Sequence, residues 1–98
     1  MTELAITRVE IREDGRLCVT PSGGDFAHIH RAAMGVQWDP DRCCLFAPKP
    51  EQTTYPDVFR RILVAAADEY GTRLMLTPAT TWVNVPDSQR ADMVSSKD

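Results

Sequence analysis

One segment of this sequence has a clear helical pattern, and β-type patterns lie on both sides of it. Its apolar side chains recur at spacings of three and four, at Phe59, Ile62, Leu63, Ala66 and Tyr70. Thr54 precedes the segment as a capping residue, Pro56 lies in its first turn, and Gly71 follows it as a stop signal. The pattern predicts an amphipathic helix over residues 55–70, which must bury its apolar stripe against a sheet.

The start of the chain has the pattern of a β-hairpin. Residues 4–12 alternate between two faces, and residues 17–20 form a second β-type run. Asp14-Gly15 lies between the two runs, and an Asp-Gly pair favours the positive φ angles that a tight hairpin turn needs. We therefore predict a hairpin over residues 4–20.

A second hairpin is predicted over residues 36–47. Its two β-type runs, 36–39 and 43–47, flank a turn that contains Pro40. Proline fixes its own φ angle at the value a turn requires, and the neighbouring aspartates can accept hydrogen bonds from the turn backbone. After the helix, residues 72–77 and 80–85 read as two further strands.

Residues 25–34 are consistent with two structures. As a helix, the segment has Asp25 as its N-cap and Gly35 as its stop. As a strand, it places Phe26, His28 and His30 on one face. The boundary signals favour a short helix over 25–34. The complete prediction is an α+β fold, with an antiparallel sheet of about five to six strands and the 55–70 helix packed on one face.

The length of 98 residues fits one folded domain, which we place at residues 1–85. From Pro86 onward the chain is mostly polar. We predict a C-terminal tail over 86–98 that is partly disordered, with a short helix from Pro86 as an alternative.

The charge and the cysteine content exclude some classes of partner and indicate the cellular compartment. The net charge is −3 and the basic residues form no cluster, so we predict no nucleic-acid partner. No signal peptide and no apolar segment long enough to span a bilayer is visible, so we predict no membrane association. The three cysteines are an odd number, typical of reduced thiols in a cytoplasmic protein rather than of a disulfide framework.

Candidate catalytic or metal-binding residues are few and poorly spaced. His28 and His30 precede Cys43 and Cys44. With one of these thiols or Asp39, the histidines form the set that a small hydrolase-like enzyme or a metal site would use. No recognised ligand spacing supports the set. We therefore predict no cofactor, no metal and no catalytic residue, and keep His28 and His30 as the weak alternative.

Three aromatic residues are the best interface candidates. Trp38 and Trp82 lie on predicted strands, and Tyr55 starts the predicted helix. Tryptophan and tyrosine are enriched at binding interfaces. Because a small sheet must also protect its exposed edge or face, we predict self-association into a homodimer, with a further protein partner as a second expectation.

Several short runs resemble small bacterial proteins encoded in mobile integron gene cassettes. They are Ile29-His30-Arg31-Ala32-Ala33, Val36-Gln37-Trp38-Asp39, Glu69-Tyr70-Gly71 and Thr81-Trp82-Val83-Asn84. The resemblance implies a compact α+β protein, often oligomeric, and assigns no catalytic residue. The sequence therefore leaves the biochemical role open. It favours a non-enzymatic binding or interaction protein of a mobile cassette, such as an adaptor, an inhibitor or an immunity-like protein.

Overall fold

A computed structural model describes residues 2–95 of the chain. The strands are β1 (Thr2–Ile11), β2 (Leu17–Pro21), β3 (Gln37–Asp39), β4 (Cys44–Ala47) and β5 (Thr72–Val83); the helices are α1 (Tyr55–Tyr70) and α2 (Asp87–Ser95). The five strands form one sheet in the order β3-β4-β2-β1-β5. The predicted α+β class is confirmed. Within the described residues, no helix is long and apolar enough to cross a membrane.

Both predicted hairpins are confirmed. β1 and β2 pair antiparallel, and Gly15 in their turn has a φ of 89°. A Cβ at that position would lie 2.8 Å from the Lys49 side chain, so glycine serves both the turn and the close approach of Lys49. β3 and β4 also pair antiparallel, and their turn is held by Asp39, whose Oδ1 accepts hydrogen bonds from two turn backbone N–H groups.

The sheet is mixed rather than wholly antiparallel, because β5 pairs parallel with β1. The two predicted strands after the helix are also one strand, with an irregularity where residues 77–80 bulge opposite Thr7. Pro78 falls within this bulge. β5 is an edge strand, and a proline there removes no hydrogen bond to a further strand, so it bends the strand without ending it.

The predicted helix over 55–70 is confirmed as α1. The Thr54 hydroxyl accepts a hydrogen bond from Asp57 N, and Gly71 ends the helix with a left-handed φ of 60°. The buried face of α1 packs against one face of the sheet and forms the core there. The largest side chains of this core that are fully buried on the strands and α1 are Ile6, Val9, Leu17, Val19, Leu45, Phe59 and Ile62.

The predicted short helix over 25–34 is reduced to a single 3-10 turn, Ile29–Arg31. The Asp25 carboxylate accepts a hydrogen bond from Ala27 N, which closes a local turn instead of capping a helix. Phe26 is buried between the rings of Trp38 and Tyr70, at centroid distances of 5.4 and 5.0 Å. This anchor holds the segment as a loop against the core.

The segment expected to be a polar tail forms α2 over Asp87–Ser95, which agrees with the alternative of a helix from Pro86. Met93 of α2 is 1% exposed and belongs to the hydrophobic core. α2 is therefore packed into the same folded unit as the sheet and α1. The expected disorder of the last residues concerns positions 96–98, which lie outside the described residues.

Candidate functional site

A groove of about 500 Å³ lies between α1, α2 and the edge strand β5. Its volume falls within the range of about 300–1,000 Å³ that is typical of small-molecule sites. The lining is mostly apolar and consists of Phe59, Leu63, Arg73, Leu74, Met75, Leu76, Thr77, Pro78, Trp82, Arg90, Met93 and Val94. The groove exists because α2 folds back beside α1 and leaves the space over β5 unfilled.

Buried side chains form the floor of the groove, and partly exposed ones form its rim. Phe59 and Met93 are almost completely buried, and they fix α1 and α2 against the core. Val94 on α2 is 47% exposed, although its side chain is apolar. Leu63 is only partly buried on the α1 side. A ligand that covers these exposed apolar side chains removes them from water, which favours binding.

The bulge in β5 shapes one end of the groove. Thr80 is 7% exposed, and its hydroxyl donates a 2.7 Å hydrogen bond to the Ile6 carbonyl. The same oxygen accepts a 3.0 Å hydrogen bond from Thr77 N. Through these two bonds the Thr80 side chain holds the bulge in place, with Thr77 and Pro78 at the edge of the groove.

Two arginines supply positive charge to the groove. The Arg90 guanidinium lies over the Trp82 ring, 5.2 Å from its centroid. A guanidinium that lies over an aromatic face can still donate hydrogen bonds to a planar acceptor, because its N–H groups point outward in its own plane. Arg73 forms a 3.9 Å ion pair with Glu3 on the neighbouring strand. The groove thus combines an apolar body with cationic side chains at its edge.

The structure separates the three predicted interface residues. Trp82 lines the groove at one sheet edge, whereas Trp38 is on β3 at the opposite edge, four strands away, or about 19 Å at the usual strand spacing. Tyr55 lies at the start of α1, where its hydroxyl donates a 2.7 Å hydrogen bond to the Gly15 carbonyl. Burial, with a smaller contribution from Asp14, raises the Tyr55 pKa. Of the three, Trp82 lies at the candidate site.

Among the described residues, no contact joins either histidine to a cysteine. His28 and His30 are exposed on the loop around the 3-10 turn, with ring centroids 6.3 Å apart. The exposed Cys43 thiol donates to the Pro40 carbonyl at 3.6 Å, and Asp39 accepts its turn hydrogen bonds. Among residues 2–95, no three His, Cys, Asp or Glu side chains are grouped so that they could hold a metal ion.

Cys18 and Cys44 lie together, away from the groove. Both thiols are buried, at 3% and 2% exposed. Neither belongs to the hydrophobic core against α1. A hydrogen bond from the Cys18 thiol lowers the Cys44 pKa to about 7, and the same bond raises the Cys18 pKa. This pair is a second, chemically distinct feature of the molecule.

The sequence indicated Trp82 but not the groove around it. Arg90 and Met93 were missed because residues 86–98 read as a tail. The available signal was Met93-Val94 within a run of mostly helix-compatible residues after Pro86, a pattern too weak to predict a packed helix. The proximity of Cys18 and Cys44 depends on the pairing of β2 with β4, which the sequence alone did not specify.

Comparison with known proteins identifies the family. The family model described as Integron Cassette Protein Hfx_Cass5 matches residues 4–80. The chain belongs to this family. A solved structure of Integron Cassette Protein Hfx_Cass5, from the mobile metagenome of North West Arm Sewage Outfall, is 36% identical in sequence, with a TM-score of 0.49. The comparison covers 97% of this chain and 95% of that one.

The predicted resemblance to integron cassette proteins is therefore confirmed. None of the curated proteins matches the chain. The candidate site is accordingly interpreted from its own geometry and chemistry.

Proposed function

We propose that this Hfx_Cass5 family member is a non-enzymatic binding protein whose groove takes a small, largely apolar organic anion. The observation that supports this proposal most directly is the groove itself, a concave apolar surface of about 500 Å³ with Arg90 at its edge. Apolar contacts would supply most of the affinity, and the guanidinium would select for negative charge.

The polar groups of the groove favour binding over chemistry. Arg73, Thr77 and Arg90 are the polar members among the described lining residues. A guanidinium stays protonated at any physiological pH, so it stabilises an anion but does not exchange protons as a general acid or base does. A hydroxyl without an adjacent base is a poor nucleophile. The lining therefore suits recognition by shape and charge.

A matched pair of fluorescent probes tests the proposed ligand class. Anilinonaphthalene sulfonate carries an anionic group on an apolar body, and N-phenylnaphthylamine is the corresponding neutral molecule. We expect the sulfonate to bind more tightly, and Arg90→Gln to weaken its binding about threefold, the size of an exposed ion pair, while leaving the neutral probe unchanged. Arg61→Gln, which removes an exposed arginine outside the groove, is the control.

Two valine substitutions locate the binding surface. Val94 and Val64 are both exposed on helices, at 47% and 55%, but only Val94 lines the groove. Val94→Glu should strongly weaken binding of the sulfonate probe, because it places a polar group with the same negative charge as the probe in the groove. Val64→Glu should have little effect. Equal effects of the two variants, or saturable binding that neither variant changes, would place the probe elsewhere and refute the proposed site.

Two other occupants of the groove are outcomes of this test. A second copy of the chain could add to the edge of β5, as the predicted homodimer would, and a partner protein could cover the same surface as an adaptor, inhibitor or immunity-like protein would require. Light scattering of the purified chain shows whether a second copy is bound. A dimer that Val94→Glu dissociates, together with no preference for the anionic probe, would replace the small-anion proposal.

We also infer a cytoplasmic location. Cys18, Cys43 and Cys44 are all free thiols, which a reducing compartment preserves. Alkylation of intact host cells, followed by fractionation and mass spectrometry, tests this inference. Recovery of the chain in a periplasmic or secreted fraction would contradict it.

A further inference from the structure

Cys18 and Cys44 are brought together by the register of two neighbouring strands. β2 and β4 pair antiparallel, with Cys18 opposite Phe46. Cys44 lies two residues before Phe46 on β4, so its side chain points to the same face of the sheet as that of Cys18. In this register the two cysteines are diagonal neighbours, the closest arrangement after a directly opposed pair.

The thiol pair lies on the sheet face away from α1. Leu17, Val19 and Leu45, which alternate with the cysteines along the same strands, contribute to the core against α1. The cysteine side chains therefore point to the opposite face. They are almost completely shielded from solvent there, although they are not part of that core.

Charged groups surround the thiol pair. Arg12 lies close enough to favour ionisation of both thiols, and its Nε atom is buried without a hydrogen-bond partner among the described residues. Glu10 opposes ionisation of Cys18; at Cys44, Asp39 opposes it and Arg42 favours it. Burial raises the pKa of Cys44, but the hydrogen bond from Cys18 has the larger effect, so the pKa of Cys44 is lowered. Cys44 is thus the more acidic of the two thiols, and because it is buried, it acts as the nucleophile only when the start of its strand moves and exposes it.

We propose that Cys18 and Cys44 form a reversible dithiol–disulfide couple that is oxidised by low-molecular-weight disulfides. The local backbone allows the approach that this bond needs. Cys44 is the first residue of the four-residue strand β4, and it follows Cys43, which has a left-handed φ of 53°. A shift at this strand end disturbs few sheet hydrogen bonds, whereas Cys18 is held within β2.

Oxidised glutathione illustrates the balanced reaction. The Cys44 thiolate attacks one glutathione sulfur, forms a mixed disulfide and releases one glutathione thiolate. Cys18 then loses its proton to water, attacks the Cys44 sulfur and releases the second glutathione thiolate. Two protein thiols are oxidised to one disulfide, one glutathione disulfide is reduced to two thiols, and the protons from the two cysteines end on the two released glutathiones.

Intact-mass spectrometry of oxidised variants tests the couple. Cys43→Ser removes the exposed third thiol and leaves the pair. After treatment with oxidised glutathione, most of this variant should lose two hydrogen atoms and retain no glutathione. The double variant Cys43→Ser with Cys18→Ala should instead retain one glutathione, because no second thiol releases it. A Cys43→Ser protein that keeps its reduced mass, or that retains glutathione as the double variant does, would overturn the proposal.

Peptide mapping of the Cys43→Ser protein covers the case in which the double variant does not fold. Trypsin separates Cys18 and Cys44 into the peptides 17–31 and 43–60. The oxidised protein should yield these two peptides linked, and a reductant should separate them. Unlinked peptides from oxidised protein that remains folded by circular dichroism would refute the couple. Neither readout depends on the groove, so the result is independent of the proposed binding function.

Discussion

The Thr80 hydroxyl is the most informative single group to remove, because it holds the bulge of β5 and therefore one end of the groove. Thr80→Val keeps the shape of the side chain but deletes the donor to the Ile6 carbonyl and the acceptor for Thr77 N. Each hydrogen bond contributes about 0.5–1.5 kcal/mol, and a buried partner left unsatisfied costs about 1–3 kcal/mol. The Ile6 carbonyl bond is buried, whereas the Thr77 bond is only part-buried, so water can replace it in part. We expect a loss of about 2–3 kcal/mol in the free energy of unfolding.

Two substitutions separate the hydroxyl from the rest of the side chain. Thr80→Ser keeps both hydrogen bonds and removes one methyl group, which should cost about 1 kcal/mol. Thr81→Val changes the exposed neighbour on the same strand and should stay within about 0.5 kcal/mol of the original chain. The expected order is therefore unusual, since the shape-conserving change to valine costs more than the loss of a methyl group.

Urea unfolding, followed by tryptophan fluorescence and circular dichroism, measures these differences. The dependence of the free energy on urea should be the same for all four proteins if the variants change only the folded state. A Thr80→Val protein that is as stable as the original chain, or more stable than Thr80→Ser, would show that the two hydrogen bonds do not hold the bulge. The argument about the end of the groove would then be wrong as well.

Three further predictions follow from single contacts. Tyr55→Phe removes the 2.7 Å hydrogen bond to the Gly15 carbonyl and should lower stability by about 1 kcal/mol in urea unfolding. Met93→Ala should cost about 3 kcal/mol, because α2 is part of the core; a change near zero would restore the interpretation of a loose tail. In a chain whose exposed third cysteine is replaced by serine, thiolate absorbance should show Cys44 ionising near pH 7. Cys18→Ala should raise that pKa toward the ordinary value of 9.0, because the hydrogen bond that stabilises the thiolate is lost.

The elements with local signals were predictable from the sequence. α1 carries its own cap at Thr54, its stop at Gly71 and an apolar stripe, and the structure places it at the predicted residues. The hairpin turn at Asp14-Gly15 likewise depends on the backbone preferences of adjacent residues. These features follow from interactions within a few positions along the chain, and no knowledge of the rest of the fold is needed.

The parallel pairing of β5 with β1 was not predictable in this way. The local composition predicts a strand over residues 72–77, but it carries no information about which strand becomes the neighbour or in which direction that neighbour runs. The predicted separation of residues 72–77 from 80–85 was wrong, because an edge strand tolerates the proline between them. The groove was not predictable from local signals either, because it is formed by the positions of α1, α2 and β5 relative to one another.

The irregular edge of β5 has a consequence for how the protein can associate. A regular edge strand offers a row of unpaired backbone groups to another sheet, and proteins suppress this with prolines and bulges. In β5 the bulge at residues 77–80 interrupts that row, which leaves the segment before it, 72–76, as the longer regular stretch available for pairing. The groove residues Leu74, Met75 and Leu76 belong to that stretch. A second copy pairing there would therefore cover the side of the groove that the proposed ligand would contact, so the two proposed modes of association would compete. A protein that binds an anion in this groove should be monomeric when the ligand is bound, whatever its state without it.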